Sequence, residues 1–178
     1  MDRVARERER PILLIAALLL LAGTPDASPW TAAVRVHGAR VAVAPGDLRV
    51  MDGDTAEIRW SAADVETVRV LGIDTPELFR GRALDPHGAE ARGFARGAFA
   101  TASRIELLRC EAQDRYRRTL GYFFLDGRNY SVLALAAGLA RETISRFGDN
   151  GLPDEAREVL EAAHRAGASR RRGPGRGR

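Results

Sequence analysis

Three carboxylates occur at positions where the local backbone does not require them. The run Asp52-Gly53-Asp54-Thr55 is predicted to form a tight turn, for which the first Asp and the Gly suffice, so Asp54 is surplus to the turn. Asp74 and Glu77 directly follow an apolar segment, in the run Asp74-Thr75-Pro76-Glu77. An ordinary strand exit, with a capping threonine and a turn proline, is an alternative explanation of this run. It accounts only for Thr75 and Pro76.

An arginine lies inside the apolar segment that precedes these acids. If residues 65–73 form one strand, Arg69 shares a face with Leu71 and Ile73, while Asp74 follows the opposite face. Both faces are mostly apolar, and a buried guanidinium is costly unless it is paired with an anion or a ligand. We therefore expect Arg69 to bind a substrate phosphate, and Glu77 to hold it when the site is empty.

Together with the polar loop at residues 114–118, these residues are suited to one kind of chemistry. Asp54 and Asp74, with a nearby backbone carbonyl, offer the hard oxygen ligands that Ca²⁺ accepts, and water can complete the coordination. Glu77 could deprotonate a water next to the metal. Two arginines could clamp a phosphate as charge develops on its oxygens. The set predicts hydrolysis of a phosphodiester.

Apolar periodicity predicts five strands and three helices. The predicted strands are 48–51, 57–60, 65–73, 104–110 and 119–125. The predicted helices carry apolar stripes from Ala91 to Ala102, from Val132 to Ala137 after a Ser131 cap, and from Pro153 to near Gly167. Leu78 to Gly88 is predicted to be a loop. The order β-β-β-α-β-β-α-α indicates an α+β protein, a small, partly open barrel flanked by helices.

The two ends of the chain differ from its middle. Residues 1–27 combine a charged, arginine-containing start with an apolar run from Ile12 to Ala22, which predicts a signal peptide or, alternatively, an uncleaved N-terminal anchor. Residues 28–46 are predicted to be a linker or an edge strand, and residues 47–167 one domain. Residues 168–178, rich in Arg and Gly, are predicted to be a disordered tail.

Composition excludes several classes of protein. All 28 basic residues are arginine, which codon bias explains better than phosphate recognition does. The net charge of +4 comes from the C-terminal end: residues 1–27 are neutral and residues 165–178 carry +6, which leaves −2 for residues 28–164. Cys110 is the only cysteine, so no intramolecular disulfide can form. The three histidines lack metal-ligand spacing, so zinc is not predicted.

Three motifs in order resemble the staphylococcal nuclease (thermonuclease) family. They are Asp52-Gly53-Asp54-Thr55, then Arg69 with Asp74-Thr75-Pro76-Glu77, and then Asp114-x-Tyr116-x-Arg118. The resemblance extends from about Asp47 to about Gly167 and implies a five-stranded OB-type barrel with three helices. It also implies a Ca²⁺-dependent endonuclease that acts on DNA and RNA.

The resemblance assigns roles residue by residue. Asp54 and Asp74 would bind calcium through their carboxylates and Thr75 through its carbonyl, with Asp52 orienting these ligands. Glu77 matches the proposed general base, and Arg69 and Arg118 match the two phosphate-contacting arginines. Arg115 and Tyr116 match nucleotide contacts. This chain departs from the family at Arg117, where glycine is usual, and after Ala140, where the family's tyrosines are missing and Phe147 is the only aromatic.

Two hypotheses follow from the sequence. The first is an exported, secreted or periplasmic, calcium-dependent nuclease with DNA and RNA as substrates, no implied protein partner, and membrane attachment only if the N-terminal segment stays uncleaved. The second is a non-catalytic nucleic-acid-binding module on the same barrel, since OB-type barrels often bind strands by stacking and charge alone. Three acids beside a phosphate site favour the first hypothesis, because they would repel the ligand of a pure binder.

Overall fold

A computed structural model describes residues 35–171 of the chain. The predicted signal peptide or anchor and residues 172–178 of the predicted tail lie outside this range. The strands are β1 (Arg40–Val43), β2 (Leu48–Val50), β3 (Thr55–Arg59), β4 (Val65–Val70), β5 (Ile73–Asp74), β6 (Phe79–Arg80), β7 (Ala83–Leu84), β8 (Ile105–Gln113), β9 (Thr119–Leu125), β10 (Arg128–Asn129) and β11 (Arg141–Glu142). The helices are α1 (Pro86–Thr101), α2 (Tyr130–Ala136), α3 (Ile144–Phe147) and α4 (Pro153–Arg171), and a 3-10 turn spans Pro45–Asp47. Within the described residues no helix is long and apolar enough to cross a membrane.

One curled sheet forms the body of the molecule. Its strand order is β1-β8-β9-β4-β3-β2, with β10 added to β9. All pairings are antiparallel except that of β4 with β9, which runs parallel with Val68 opposite Thr119. The five predicted strands correspond to β2, β3, β4, β8 and β9, and three of the four helices were predicted. The sheet and helices form an OB-type α+β fold, which confirms the predicted fold class.

The core lies between the inner face of this sheet and the helices. Along β4 the inner residues Glu66, Val68 and Val70 are buried, whereas the intervening Thr67 and Arg69 are only half-buried on the outer face. From the helices, Phe99 of α1 and Val159 of α4 pack into the same apolar cluster. Because β4 alternates in this way, its outer face is free to carry polar chemistry.

The prediction that residues 65–73 form a single strand is wrong. The strand ends at Val70, and Gly72 adopts a left-handed conformation with φ of +81° that a residue with a side chain rarely adopts. This turn interrupts the two-residue alternation of side chains, and Ile73–Asp74 begins a separate strand that pairs with β11. The predicted placement of Asp74 on the face opposite Arg69 therefore does not hold.

Helix boundaries differ from those predicted in three places. Helix α1 begins at Pro86, inside the segment predicted to be a loop, because Asp85 accepts a hydrogen bond from the backbone N–H of His87 and Pro86 suits a first helical turn. The rest of that segment contains the β6–β7 hairpin. Helix α2 is capped by Asn129 instead of Ser131, whose backbone N–H donates to the Asn129 side chain at 3.0 Å.

The C-terminal helix is longer than predicted. Helix α4 continues through Gly167 to Arg171, so residues 168–171, assigned to a disordered tail, are helical. A single glycine costs a helix only about 1 kcal/mol relative to alanine, which does not have to end it. For residues 28–46 the sequence predicts a linker or an edge strand. Within this range Arg40–Val43 form a strand at the edge of the sheet, paired with β8.

Candidate active site

Asp54 is the last residue of the turn between β2 and β3. Asp52 stabilises the turn by accepting a hydrogen bond from the backbone N–H of Asp54 at 3.0 Å. The buried Tyr130 hydroxyl donates to the carbonyl of Gly53 at 2.7 Å and so ties this turn to α2. As a result the Asp54 carboxylate, only 2% exposed, has a fixed position.

Four donor groups surround the buried Asp54 carboxylate, one of them the Thr55 hydroxyl at 3.3 Å. One oxygen accepts from the Thr75 backbone N–H at 2.8 Å and the Thr75 hydroxyl at 3.0 Å, and the other pairs with the Arg69 guanidinium. Burial raises the pKa of Asp54 to about 6, although the charge of Arg69 and the hydrogen bond from Thr75 offset part of the rise. Two hydrogen bonds thus join Asp54 to Thr75, which comes from a distant part of the chain.

Arg69 bridges two carboxylates. Besides Asp54, its guanidinium contacts Asp74 at 2.7 Å, and its side chain is 20% exposed. Gly72 makes this contact possible because the left-handed turn brings Asp74 back toward Arg69. The expectation that Glu77 holds Arg69 in the empty site is wrong, since the arginine is paired with the two aspartates.

Arg118, the residue immediately before β9, lies next to these charged groups. Parallel pairing of β4 with β9 sets Thr119 opposite Val68, so Arg118 lies beside the strand that carries Arg69. The Arg118 guanidinium donates to the Asp114 carboxylate at 2.7 Å and comes within 3.5 Å of the Thr55 hydroxyl. That hydroxyl in turn donates to Asp54 at 3.3 Å. Arg118 is therefore linked through the Thr55 hydroxyl to Asp54, the carboxylate that Arg69 contacts directly.

Asp114 orients Arg118 through the backbone as well as through the side chain. Its carboxylate accepts from the backbone N–H groups of Tyr116 and Arg118, both at 2.9 Å. Burial alone would raise the pKa of Asp114, but the hydrogen bonds from Arg118 hold it below its ordinary value. The sequence motif contains Asp114, yet no role was predicted for it. The signal is an aspartate two residues before a turn position, where its side chain can cap the following backbone.

Glu77 lies in the connection between β5 and β6, and its side chain is exposed to solvent. Within residues 35–171 its carboxylate has no hydrogen bond or ion pair. Its backbone is nevertheless constrained, since a Cβ atom at Gly88 would lie 2.1 Å from the Glu77 carbonyl oxygen. The first turn of α1 therefore packs directly against the backbone of Glu77 and leaves the carboxylate facing water.

The two residues predicted to contact a nucleotide lie at the rim. Tyr116 is 64% exposed. Arg115 donates to the Tyr116 hydroxyl at 2.6 Å and stacks over its ring at 4.7 Å, and Arg118 lies 5.4 Å from the same ring. An exposed ring between two guanidinium groups offers a stacking surface next to a positive site.

An open groove of about 440 Å³ adjoins the segment that carries Asp74. Its lining includes Asp74 and Thr75 on one side and His87, Glu90 and Arg141 on the others. Asp74 is directly opposite Arg141 in the β5–β11 ladder. The carboxylate of Asp74 therefore faces space large enough for part of a ligand.

Asp54, Asp74 and Thr75 are the residues that could bind a hard cation. In the described part of the chain no group of three or more His, Cys, Asp or Glu side chains could hold a metal ion. Asp54 and Asp74 nevertheless point at one shared cationic group, the Arg69 guanidinium, and Thr75 is bonded to Asp54. Two convergent carboxylates with backbone oxygen and water suit Ca²⁺ or Mg²⁺, and the oxygen-only donor set does not suit zinc.

The fold and the site define an OB-type α+β protein in which two aspartates and two arginines gather beside strand β4. The family model described as Staphylococcal nuclease homologue matches residues 67–173. The chain belongs to this family, as the three sequence motifs predicted.

Individual relatives match a shorter stretch. Over 95 residues the chain is 38% identical to Thermonuclease from Staphylococcus intermedius, a match that covers 52% of this chain and 55% of that protein. Over 95 residues it is also 33% identical to the SPbeta prophage-derived endonuclease YokF and 30% identical to Endonuclease YncB, both from Bacillus subtilis. These two matches cover 52% of this chain and 32% and 44% of the relatives. The chain thus spans about half or less of the curated relatives it matches.

Proposed function

We propose that this protein is a calcium-dependent endonuclease that hydrolyses phosphodiester bonds of DNA and RNA. The observation that carries the proposal is that Arg69 contacts both Asp54 and Asp74 while Arg118 reaches Asp54 through the Thr55 hydroxyl, a set that suits a cation beside a phosphate. Membership of the nuclease family and the names of the relatives, a thermonuclease and two endonucleases, support it.

In the proposed reaction, Arg69 and Arg118 bind the non-bridging oxygens of the phosphate. Forked, charge-assisted hydrogen bonds strengthen as negative charge grows on these oxygens. Tyr116 and Arg115 hold the neighbouring nucleotide at the rim. Asp114 keeps the Arg118 guanidinium in position while the phosphate is bound.

Glu77 serves as the general base in this proposal. Its exposed carboxylate accepts a proton from a water molecule, whose oxygen attacks phosphorus, and the bond from phosphorus to the leaving oxygen breaks. The leaving oxygen takes a proton from solvent. A bound Ca²⁺ would supply charge that neutralises Asp54 and Asp74, lowers the pKa of the attacking water and leaves the Arg69 guanidinium available to the phosphate.

We also propose that the protein acts outside the cytoplasm. The charged start followed by the apolar run from Ile12 to Ala22 is typical of an exported chain, and an uncleaved anchor would place the domain at a membrane surface. Fractionation of expressing cells, with the mature N-terminus determined by mass spectrometry, tests this part separately.

The decisive experiment is a cleavage assay with Glu77→Gln. The purified protein should cut single-stranded DNA and RNA with calcium and stop when a chelator is added. Glu77→Gln should lower kcat on the order of 10² to 10⁴-fold while binding of an oligonucleotide persists. Glu158→Gln, which removes an exposed acid from α4, is the matched control and should retain activity.

A folded wild-type protein that binds calcium and nucleic acid yet cuts neither DNA nor RNA would rule the proposal out. That result would favour the second hypothesis, a non-catalytic nucleic-acid-binding module on the same barrel.

A further inference from the structure

A second groove lies between α1 and β2, apart from the residues of the candidate active site. It has a volume of about 300 Å³. The apolar side chains Leu48, Val50 and Phe99 contribute to its lining, together with three arginines, Arg49, Arg92 and Arg96. A groove with an apolar floor and several guanidinium groups is suited to an anionic ligand.

Two of these arginines lack a counter-charge within residues 35–171. Arg92 and Arg96 are four residues apart on α1, so they share a helix face, where like charges repel. Neither forms an ion pair among the described residues, whereas Arg49 is paired with Glu57. The groove is therefore locally positive, although residues 28–164 carry a net charge of −2.

Arg92, which lines the groove, also holds a buried donor that lacks an acceptor among the described residues. The Nε atom of Arg92 is shielded from solvent and makes no hydrogen bond there. A buried N–H of a charged group without a partner destabilises the folded protein, and an oxyanion in the groove would remove that cost. The buried donor and the positive charge thus point independently to an anion.

The groove lies one strand away from the strand that carries Thr55, since Arg49 of β2 lines the groove and is opposite Glu57 of β3. Glu57, which pairs with Arg49, lies two residues beyond Thr55 on the same strand face, a distance of about 7 Å. The Thr55 hydroxyl lies 3.5 Å from the Arg118 guanidinium and donates to Asp54, which pairs with Arg69. A nucleic-acid strand held at the active site can therefore extend toward Arg49 and the groove.

We propose that this groove is a second phosphate-binding site, in which Arg92 and Arg96 hold a backbone phosphate of the nucleic-acid strand beyond the bond that is cut. The inference rests on the proposed function for the identity of its ligand. In this proposal α1 binds the substrate at a distance from the reacting phosphate.

The test measures binding of a labelled single-stranded oligonucleotide by fluorescence anisotropy across a range of salt concentrations. Removing one arginine that neutralises a phosphate of a single strand should lower the slope of log K against log salt by about 0.7. We expect Arg92→Gln and Arg96→Gln each to show this decrease for a strand of about 16 nucleotides and not for one of about 4, the two ends of the range of OB-fold site sizes.

Arg157→Gln is the matched control, because it removes the same charge from an exposed position on α4. An equal decrease in slope in this control would show a general charge effect and overturn the proposal, as would unchanged slopes in both groove variants. Arg96 is exposed, so its variant keeps the test valid even if Arg92→Gln fails to fold.

Inorganic phosphate alone is the second probe. It should change Tm of the wild type and of Arg96→Gln equally, since the proposed ligand is a diester within a strand. A rise in Tm confined to the wild type would assign the groove to free phosphate and overturn the proposal. Failure of the proposed function remains distinguishable, because a protein that binds the long strand through Arg92 and Arg96 without cutting it would contradict only the nuclease assignment.

Discussion

Arg69 connects the acids of the candidate site to the phosphate chemistry proposed for it. In the structure its guanidinium occupies the position between Asp54 and Asp74, so one positive charge compensates two carboxylates. The two carboxylates therefore keep one uncompensated negative charge. Burial raises the pKa of Asp54 to about 6. A divalent cation between the carboxylates would complete the compensation and allow Arg69 to turn toward a phosphate.

This arrangement predicts that calcium stabilises the protein through Asp54. Calcium at about 100 times Kd should add about 2.7 kcal/mol to the free energy of unfolding of the wild type, because it binds only the folded state. Asp54→Asn should lose most of this gain, since an amide is a weaker ligand than a carboxylate. Thermal unfolding with and without calcium measures both effects.

The control for calcium binding is Asp64→Asn, which removes a carboxylate paired with Arg35 outside the site. It should keep the full response to calcium. An Asp54→Asn variant that gains as much stability from calcium as the wild type would show that the cation binds elsewhere.

At the scale of elements, the turn between β8 and β9 positions Arg118. The backbone N–H of Arg117 donates to the Asp114 carbonyl at 2.9 Å, and Arg117 itself has a φ of +63°. The family's usual glycine at this position therefore has a physical reason, since the turn requires a left-handed residue. The departure at Arg117 keeps the turn and places strain in it.

Arg117→Gly should stabilise the protein. A left-handed conformation destabilises the fold by about 1 to 2 kcal/mol at a residue with a side chain, and glycine removes this cost. The greater freedom of glycine in the unfolded chain offsets about 0.5 to 1 kcal/mol of that gain. We expect the free energy of unfolding to rise by about 0.5 to 1 kcal/mol in urea denaturation.

Arg115→Gly is the control for the turn, because Arg115 lies in the same loop without a positive φ. It should lower the free energy of unfolding instead of raising it. Equal losses in both variants would mean that the left-handed conformation of Arg117 carries no strain.

The elements also show how far sequence reasoning extends. Strands β3, β8 and β9 were predicted because apolar alternation and turn residues are local signals. The end of β4 was missed, since Leu71 and Ile73 continue the apolar pattern across Gly72 and only the backbone shows the turn. The early start of α1 was missed because Gly88 suggested a loop, whereas it allows the helix to pack against Glu77.

At the scale of the whole molecule, a buried network joins the strands of the barrel. Glu66 of β4 accepts from Arg109 of β8 at 2.7 and 2.9 Å, from Thr119 of β9 at 2.8 Å and from the Trp60 indole at 2.7 Å. The Arg109 side chain is only 1% exposed. Because Thr119 follows Arg118, the network fixes the start of the strand that delivers this arginine to the site.

The stability of the protein should fall in acid partly through Glu66. Burial alone would raise its pKa, but the hydrogen bonds and charge of Arg109 hold the pKa of the folded state below the ordinary value of 4.5. The contribution is therefore complete above about pH 4.5 and is lost as the pH falls through the lower folded-state pKa. Denaturation curves between neutral and acid pH report this loss.

Glu66→Gln identifies the group responsible. Leaving Arg109 without its anion should cost about 3 kcal/mol at neutral pH, and the difference from the wild type should shrink in acid, where Glu66 of the wild type is itself protonated. Glu158→Gln, on the exposed face of α4, should follow the wild-type curve. A constant difference between Glu66→Gln and the wild type across this range would contradict the assignment.

The sequence by itself determined the family, the fold class and which side chains to consider, because turns, strand patterns and the three motifs are local properties of the chain. Only the tertiary structure decided how those side chains meet. Arg69 meets Asp54 because β3 sets Thr55 opposite Arg69, and it meets Asp74 because Gly72 breaks the alternation of β4. Arg118 joins them because β9 runs parallel to β4. Likewise, packing of α1 beside β2 brings Arg92 and Arg96 to one groove. Strand register and helix packing depend on contacts between distant segments, which no local pattern specifies.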